Sequence, residues 1–226
     1  MEVLLKFKLN EHLYLRDPEQ TEIGKAIVSN AIELIFEIGF EQFTFRKLAA
    51  KINSTEPTIY RYFTSKHKLL TYILNWYWNY VEYVCKMRLA EVNDPTKKMI
   101  MILEIITHHI DTHAHLHNYN LDQLHHIVIS ESSKSYLVKE VDEINSEMMF
   151  APLKSLCLFI SEVILKLDPH FPYPKSLAST LIETAHDQHF FSEHLPKLTD
   201  NQVRENHKDY VLKYLTRLTF YTISPA

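Results

Sequence analysis

Residues 44–68 read TFRKLAAKINSTEPTIYRYFTSKHK. Phe45, Leu48, Ala49 and Ile52 fall at i, i+3, i+4 and i+7, so this segment predicts a helix with one apolar stripe, and Thr44 is placed to cap it. Asn53 follows where the chain has to turn back, and asparagine enters the left-handed region more readily than most residues. A second helix then starts from Ser54 or Thr55 as its cap. Pro57 lies in its first turn, where the missing N–H costs no bond, and Ile59 and Phe63 face inward one turn apart. Ser65 caps a third helix that opens with Lys66, His67 and Lys68.

The outward face of the second helix carries the functional signal. At about 100° per residue, Pro57, Thr58 and Arg61 point away from Ile59 and Phe63, with Tyr60 and Tyr62 on the flanks. Between residues 44 and 70, Arg46, Lys47, Lys51, Arg61, Lys66 and Lys68 oppose Glu56 alone, a local excess of +5 in a chain whose net charge is −4. A basic, hydroxyl-bearing face of this kind suits a phosphate backbone. Thr44, Thr55, Thr58, Tyr60, Tyr62 and Lys66 stand at helix starts or flanks, where backbone contacts are made. Arg46 and Arg61 are the arginines able to grip guanine O6 and N7. Glu56 has two readings: a first-turn carboxylate that favours the helix dipole, or an acceptor that selects the exocyclic amine of cytosine.

Two helices across a tight turn, the second with a polar outward face, form a helix-turn-helix. Here the chain resembles the N-terminal domain of the TetR family of transcriptional regulators. The resemblance rests on T-I-Y-R-Y-F-T-S-K at 58–66, on Gly39-Phe40 at the end of a preceding helix, and on the T-x-R-K-L-A run at 44–49. It covers roughly residues 21–70. Asn53 stands where the family usually has glycine, and Ser54 where it usually has valine, which removes methyl groups from the turn. The resemblance implies an operator of double-stranded DNA, a homodimer built through the C-terminal helices, and a small-molecule effector bound in the helical remainder.

Composition narrows the class independently. The chain has 226 residues, 46% of them hydrophobic, enough for a full core and one or two domains. It has only two glycines, Gly24 and Gly39, so neither a Gly-x-Gly-x-x-Gly turn nor a phosphate-cradling P-loop can be built. Cys85 and Cys157 have no CxxC spacing and suit reduced thiols inside a cell. The first residues alternate Val3, Leu5, Phe7 and Leu9 with Lys6 and Lys8, too short and charged for a signal or membrane segment. They predict a strand or extra turn packed on the DNA-binding domain, with a basic minor-groove arm as the alternative. The expected location is cytoplasmic.

An all-α architecture is the expectation throughout: an arm at 1–20, a three-helix helix-turn-helix domain at 21–68, and a larger helical ligand-binding and dimerisation domain at 69–226. The first helix runs from Pro18 or Thr21 to Ile38 and stops at Gly39, with Ile27, Ala31, Leu34, Ile35 and Ile38 on one side. A long helix continues to Leu89. Further helices are expected at 95–113, 121–130, 133–149, 152–167, 175–195 and 200–222. The last carries Val211, Tyr214, Leu215, Leu218 and Tyr221 as a stripe for a twofold partner.

Fourteen histidines include a cluster at His108, His109, His113, His115, His117, His125 and His126. His109 and His113 stand one turn apart, a spacing that fits a metal, but no cysteine or well-placed carboxylate completes a set, so neither metal nor cofactor is expected. Trp76, Tyr77, Trp78, Phe150, Phe159, Phe190 and Phe191 read as core or as the lining of a ligand cavity. No converging nucleophile, acid and base is present, which argues against an enzyme. A protein-interaction module with a degenerate helix-turn-helix is the competing reading.

Overall fold

The computed structural model describes residues 6–108, 119–201 and 206–223. Among them, every regular element is a helix: α1 (Glu22–Gln42), α2 (Phe45–Lys51), α3 (Glu56–Tyr60), α4 (Lys66–Leu89), α5 (Pro95–Ile106), α6 (Leu121–Glu131), α7 (Ser133–Tyr136), α8 (Val141–Ser146), α9 (Ala151–Leu167), α10 (Pro174–His194) and α11 (Lys208–Ile223), with short 3-10 turns at Glu11–Leu13, Pro18–Gln20 and Pro196–Leu198. The chain forms two compact units. One comprises residues 1–77 and 111–151, the other 78–110 and 152–226. The division by packing thus falls inside α4, between Tyr77 and Trp78, whereas the division by motif lies at 68/69.

In the first unit α1 is capped by Thr21, whose Oγ1 accepts from Gly24 N at 3.0 Å. Its inner face buries Ile27, Val28, Ala31, Ile32 and Ile35. Gly39 takes φ 73°, ψ 157° and bends the helix, which then makes one more turn to Gln42 instead of stopping. That left-handed φ suits glycine. The break is held from outside as well: Glu131 at the end of α6 accepts from Phe40 N at 3.0 Å. Helix α6 packs along α1 and buries Leu121, Leu124, Ile127 and Val128.

Residues 133–149 were expected as one helical segment and form two short helices. Leu137 leaves helical geometry at ψ 55°, Met148 has φ 57°, and α8 buries none of its residues. Without a continuous apolar stripe, nothing holds a longer helix to the core. Of the N-terminal segment, residues 1–5 lie outside the described residues, and residues 6–21 take the extra-turn form of the expectation and not a strand. They form an extended run with two 3-10 turns, capped by Asn10 and Asp17, that buries Leu9 and Leu13.

In the second unit the latter half of α4 buries Trp78, Val81, Cys85 and Leu89, and its Glu82 accepts from Ser155 Oγ of α9 at 2.7 Å while pairing with Lys86 at 2.6 Å. Helix α5 ends at Ile106, earlier than the expected 113, as Thr107 (φ −93°, ψ 16°) and then His108 (φ 63°) leave helical geometry; residues 109–113 lie outside the described residues. Helix α10 packs on α11, and α11 on α5. Helix α11 starts at Lys208, later than expected. Its Val211 and Leu215 are fully buried within the chain, while Tyr214 and Tyr221 are 39% and 72% exposed. Leu215 therefore belongs to the chain's own core and not to a free stripe for a partner. Among the described residues, no helix is long and apolar enough to cross a membrane.

Candidate nucleic-acid interface

Helix α2 begins where Thr44, in extended backbone, accepts from Lys47 N at 3.2 Å through its hydroxyl. Phe45, Leu48 and Ala49 are buried and fix the helix on its neighbours, so Arg46 and Lys47 are turned outward. The turn that follows is a Schellman-type end. Ser54 N donates to Ala49 O at 2.8 Å and Asn53 N to Ala50 O at 3.3 Å, with Asn53 in the left-handed region at φ 49°. Asparagine thus takes the left-handed position that closes the turn.

Helix α3 starts from Thr55, in extended backbone and with no side-chain cap bond; its hydroxyl lies 3.0 Å from that of Thr58. Glu56 and Pro57 form the first turn. Ile59 and Phe63 are fully buried and set the helix phase. The consequence is an outward face of Thr55, Pro57, Tyr60 and Arg61, all exposed, with Glu56 and Thr58 half-buried beside it. The Tyr60 ring stands edge-on to Phe45 of α2, with centroids 5.0 Å apart, so the two helices support one surface.

Two residues of the expected set are placed elsewhere. Tyr62 is 1% exposed; its hydroxyl lies 2.7 Å from Thr21 Oγ1, which leaves no ring edge for a phosphate. Lys66 turns its ammonium inward onto the carbonyls of Phe40, Glu41 and Phe43 at 3.0, 3.3 and 3.3 Å, and lies 4.5 Å from the Phe40 ring centroid. The end of α1 presents its last carbonyls, of which Phe40 O also accepts from Phe43 N at 3.3 Å, and the negative end of its dipole, and Lys66, 23–26 residues further on, reaches both. Lys66 is thus placed as a cap on the end of α1.

The basic excess is smaller on the surface than along the sequence. Lys51 pairs with Glu33 and Glu37 of α1 at 3.1 and 3.2 Å. Lys68 pairs with Glu147 at 3.1 Å and donates to His12 O at 3.0 Å. With Lys66 turned inward, Arg46, Lys47 and Arg61 are the exposed cations of the stretch. Lys47, which the sequence singles out for its charge alone, stands exposed beside Arg46 through the phase of α2. It also reaches back to Gln42 O at 2.9 Å.

His109, His113, His115 and His117 lie outside the described residues. His125 is buried, its Nδ1 2.9 Å from Tyr77 Oη, and the His126 ring stands edge-on to Phe36 at 5.0 Å.

Residues 27–73 match the model of a family described as bacterial regulatory proteins, tetR family. No curated protein matches the chain as a relative. Among solved structures it is similar to AibR in complex with isovaleryl coenzyme A and operator DNA, at 16% identity and TM-score 0.58, over 86% of this chain and 96% of that one. It is similar to the fatty acid degradation regulator FadR from Bacillus halodurans at 15% identity and TM-score 0.59, over 86% and 92%. A regulator of the TetR/AcrR family from Thermobifida fusca matches at 19% and 0.55, over 85% and 93%.

Proposed function

Proceeding from a TetR-type N-terminal domain at residues 27–73 on the fold of TetR-type regulators, we propose that this protein is a homodimeric transcriptional regulator. It represses from a roughly palindromic operator and is released when a small molecule enters the helical remainder of the chain. It works in the cytoplasm, where the operator is, and it is not an enzyme. The observation that carries this reading is the exposed Thr55-Pro57-Tyr60-Arg61 face on a helix whose phase is locked by buried Ile59 and Phe63, with Arg46 and Lys47 exposed on the neighbouring helix.

Such a surface divides the labour of recognition. Thr44, Thr55, Thr58, Tyr60 and Lys47 bond phosphate oxygens and fix register, while Arg46 and Arg61 read guanine edges in the major groove. Pro57 brings its apolar ring to the groove without a competing backbone donor. Glu56 stands next to it and either supports the helix start or selects cytosine. The solved complex of AibR with isovaleryl coenzyme A and operator DNA lends support to a ligand-responsive DNA binder on this fold. For the dimer, support comes from the outer side of α11, where Tyr214, Arg217 and Tyr221 repeat at helical spacing and are exposed.

A gel shift with DNA flanking the protein's own gene tests the reading. Binding at low salt should weaken as salt rises, with a log–log slope of roughly −0.9 per phosphate neutralised. Arg61→Ala should abolish sequence preference at one position of each half-site. Absence of any preferred sequence after selection from random DNA would leave the protein-interaction module as the better account.

A further inference from the structure

We propose that residues 9–21 are a brace that sets the position of the recognition helix α3, with Arg16, Thr21 and Tyr62 as its positioning residues. This inference rests on the DNA-binding reading above but concerns chain outside the matched domain, which begins at residue 27.

The end of α3 is held by this segment at three points. Leu15 N donates to Tyr62 O at 2.8 Å. The Tyr62 hydroxyl lies 2.7 Å from Thr21 Oγ1. The Arg16 guanidinium sits 5.5 Å from the Tyr62 ring centroid, a favourable placement over a π face. Helix α3 has only five residues, so its own hydrogen bonds fix its direction poorly. Tyr62 is one residue beyond Arg61, and whatever holds Tyr62 aims Arg61.

The brace is itself anchored away from α3. Leu13 and Leu9 are 1% and 5% exposed, and Tyr14 meets Tyr72 of α4 edge-on at 6.0 Å. Its far end is tied to the residue after α8: Asn10 Nδ2 donates to Glu147 O at 2.6 Å, and Lys68 joins His12 O to the Glu147 carboxylate at 3.0 and 3.1 Å. Near α1 the fit depends on Gly24. A Cβ there would meet Pro18 O at 2.3 Å and Pro18 Cα at 2.6 Å, backbone atoms that yield only if the whole segment moves. Glycine sits within a helix, where alanine is the better former, because the brace passes directly over it.

Gly24→Ala is therefore the sharpest probe: it improves α1, touches no proposed DNA contact, and dislodges residues 17–19. Arg16→Ala removes the cation over Tyr62, and Arg16→Lys keeps a cation there. With full-length protein and the selected operator, Gly24→Ala and Arg16→Ala should each weaken binding on the order of tenfold, as the competent orientation of α3 falls to about a tenth of the population. The salt slope and the selected sequence should stay as in the unsubstituted protein, and Arg16→Lys should recover most of the affinity. Amide exchange at residues 56–63 should quicken at least about fivefold without DNA. Unchanged affinity and exchange in folded Gly24→Ala overturns the brace. So does a flatter salt slope in Arg16→Ala, which makes the segment a minor-groove arm. If the unsubstituted protein selects no DNA while exchange still quickens in Gly24→Ala, the regulator reading fails and the brace stands.

Discussion

Replacing Lys66 separates a cap from a phosphate contact. Its ammonium bonds three carbonyls at the broken end of α1, two of them part-buried, and faces the Phe40 ring. A charged hydrogen bond contributes about 1.5–3 kcal/mol. The three carbonyls share one ammonium, so they are not additive, and the exposed Glu41 carbonyl regains water on substitution. Lys66→Met, which keeps the aliphatic stem, should cost about 2–3 kcal/mol. At about 2–4 °C per kcal/mol for a chain of this size, the first unfolding transition should fall by roughly 4–12 °C. Calorimetry gives that shift, and amide exchange should place the loosening at residues 40–44. DNA affinity below the transition should fall only as far as Thr44 is displaced, with the salt slope unchanged. A melting curve like the unsubstituted protein's, together with a slope flattened by about one unit, would show that the lysine leaves the cap and neutralises a phosphate.

Other consequences follow from the same geometry. Asn53→Ala places a Cβ residue at φ 49° without the local bonding asparagine offers, so it should cost about 1 kcal/mol in denaturant unfolding. Leu215→Asp should unfold the second unit instead of dissociating a dimer, because Leu215 is fully buried within the chain; Tyr221→Asp should dissociate a dimer and leave circular dichroism intact, as sedimentation will report. Burial, then the charge of His189, pushes the His186 pKa from 6.5 down to about 3. The folded state therefore resists a proton the unfolded chain accepts at 6.5. Stability is at its plateau above pH 6.5 and falls toward pH 3, by about 2 kcal/mol at pH 5. His186→Leu should flatten that limb of the pH–stability curve.

The parts legible in the sequence are those set by near neighbours. Thr44 caps α2 because its hydroxyl needs only the N–H three residues on. Asn53 turns the chain because the Schellman bonds close within six residues, and Ile59 and Phe63 give the phase of α3 by spacing alone. What stayed hidden depends on distant groups. Helical phase left Tyr62 on a flank, but Thr21, 41 residues earlier, captures its hydroxyl. Charge counting made Lys66 a surface cation, but Gly39 breaks α1 at a point where carbonyls 23–26 residues away need a donor. Leu215 and Tyr214 share one apolar pattern, and only the packing of α10 and α5 against α11 decides which is inward. Residues 133–149 carry helix formers without a stripe, so composition overstated their helix.

Base reading by the α2–α3 surface is the central claim, and selection from random DNA with the unsubstituted protein, Arg61→Ala and Glu56→Ala tests it most directly. The unsubstituted protein should yield a twofold-symmetric motif containing guanine. Arg61→Ala should lose preference at one base pair per half-site, by about 1–3 kcal/mol in competition binding, and leave the other positions intact. Glu56→Ala should relax a neighbouring cytosine if the carboxylate reaches the groove, and tighten non-specific binding as a negative charge leaves the surface. A motif that is identical with and without Arg61, or no motif at all, contradicts the account.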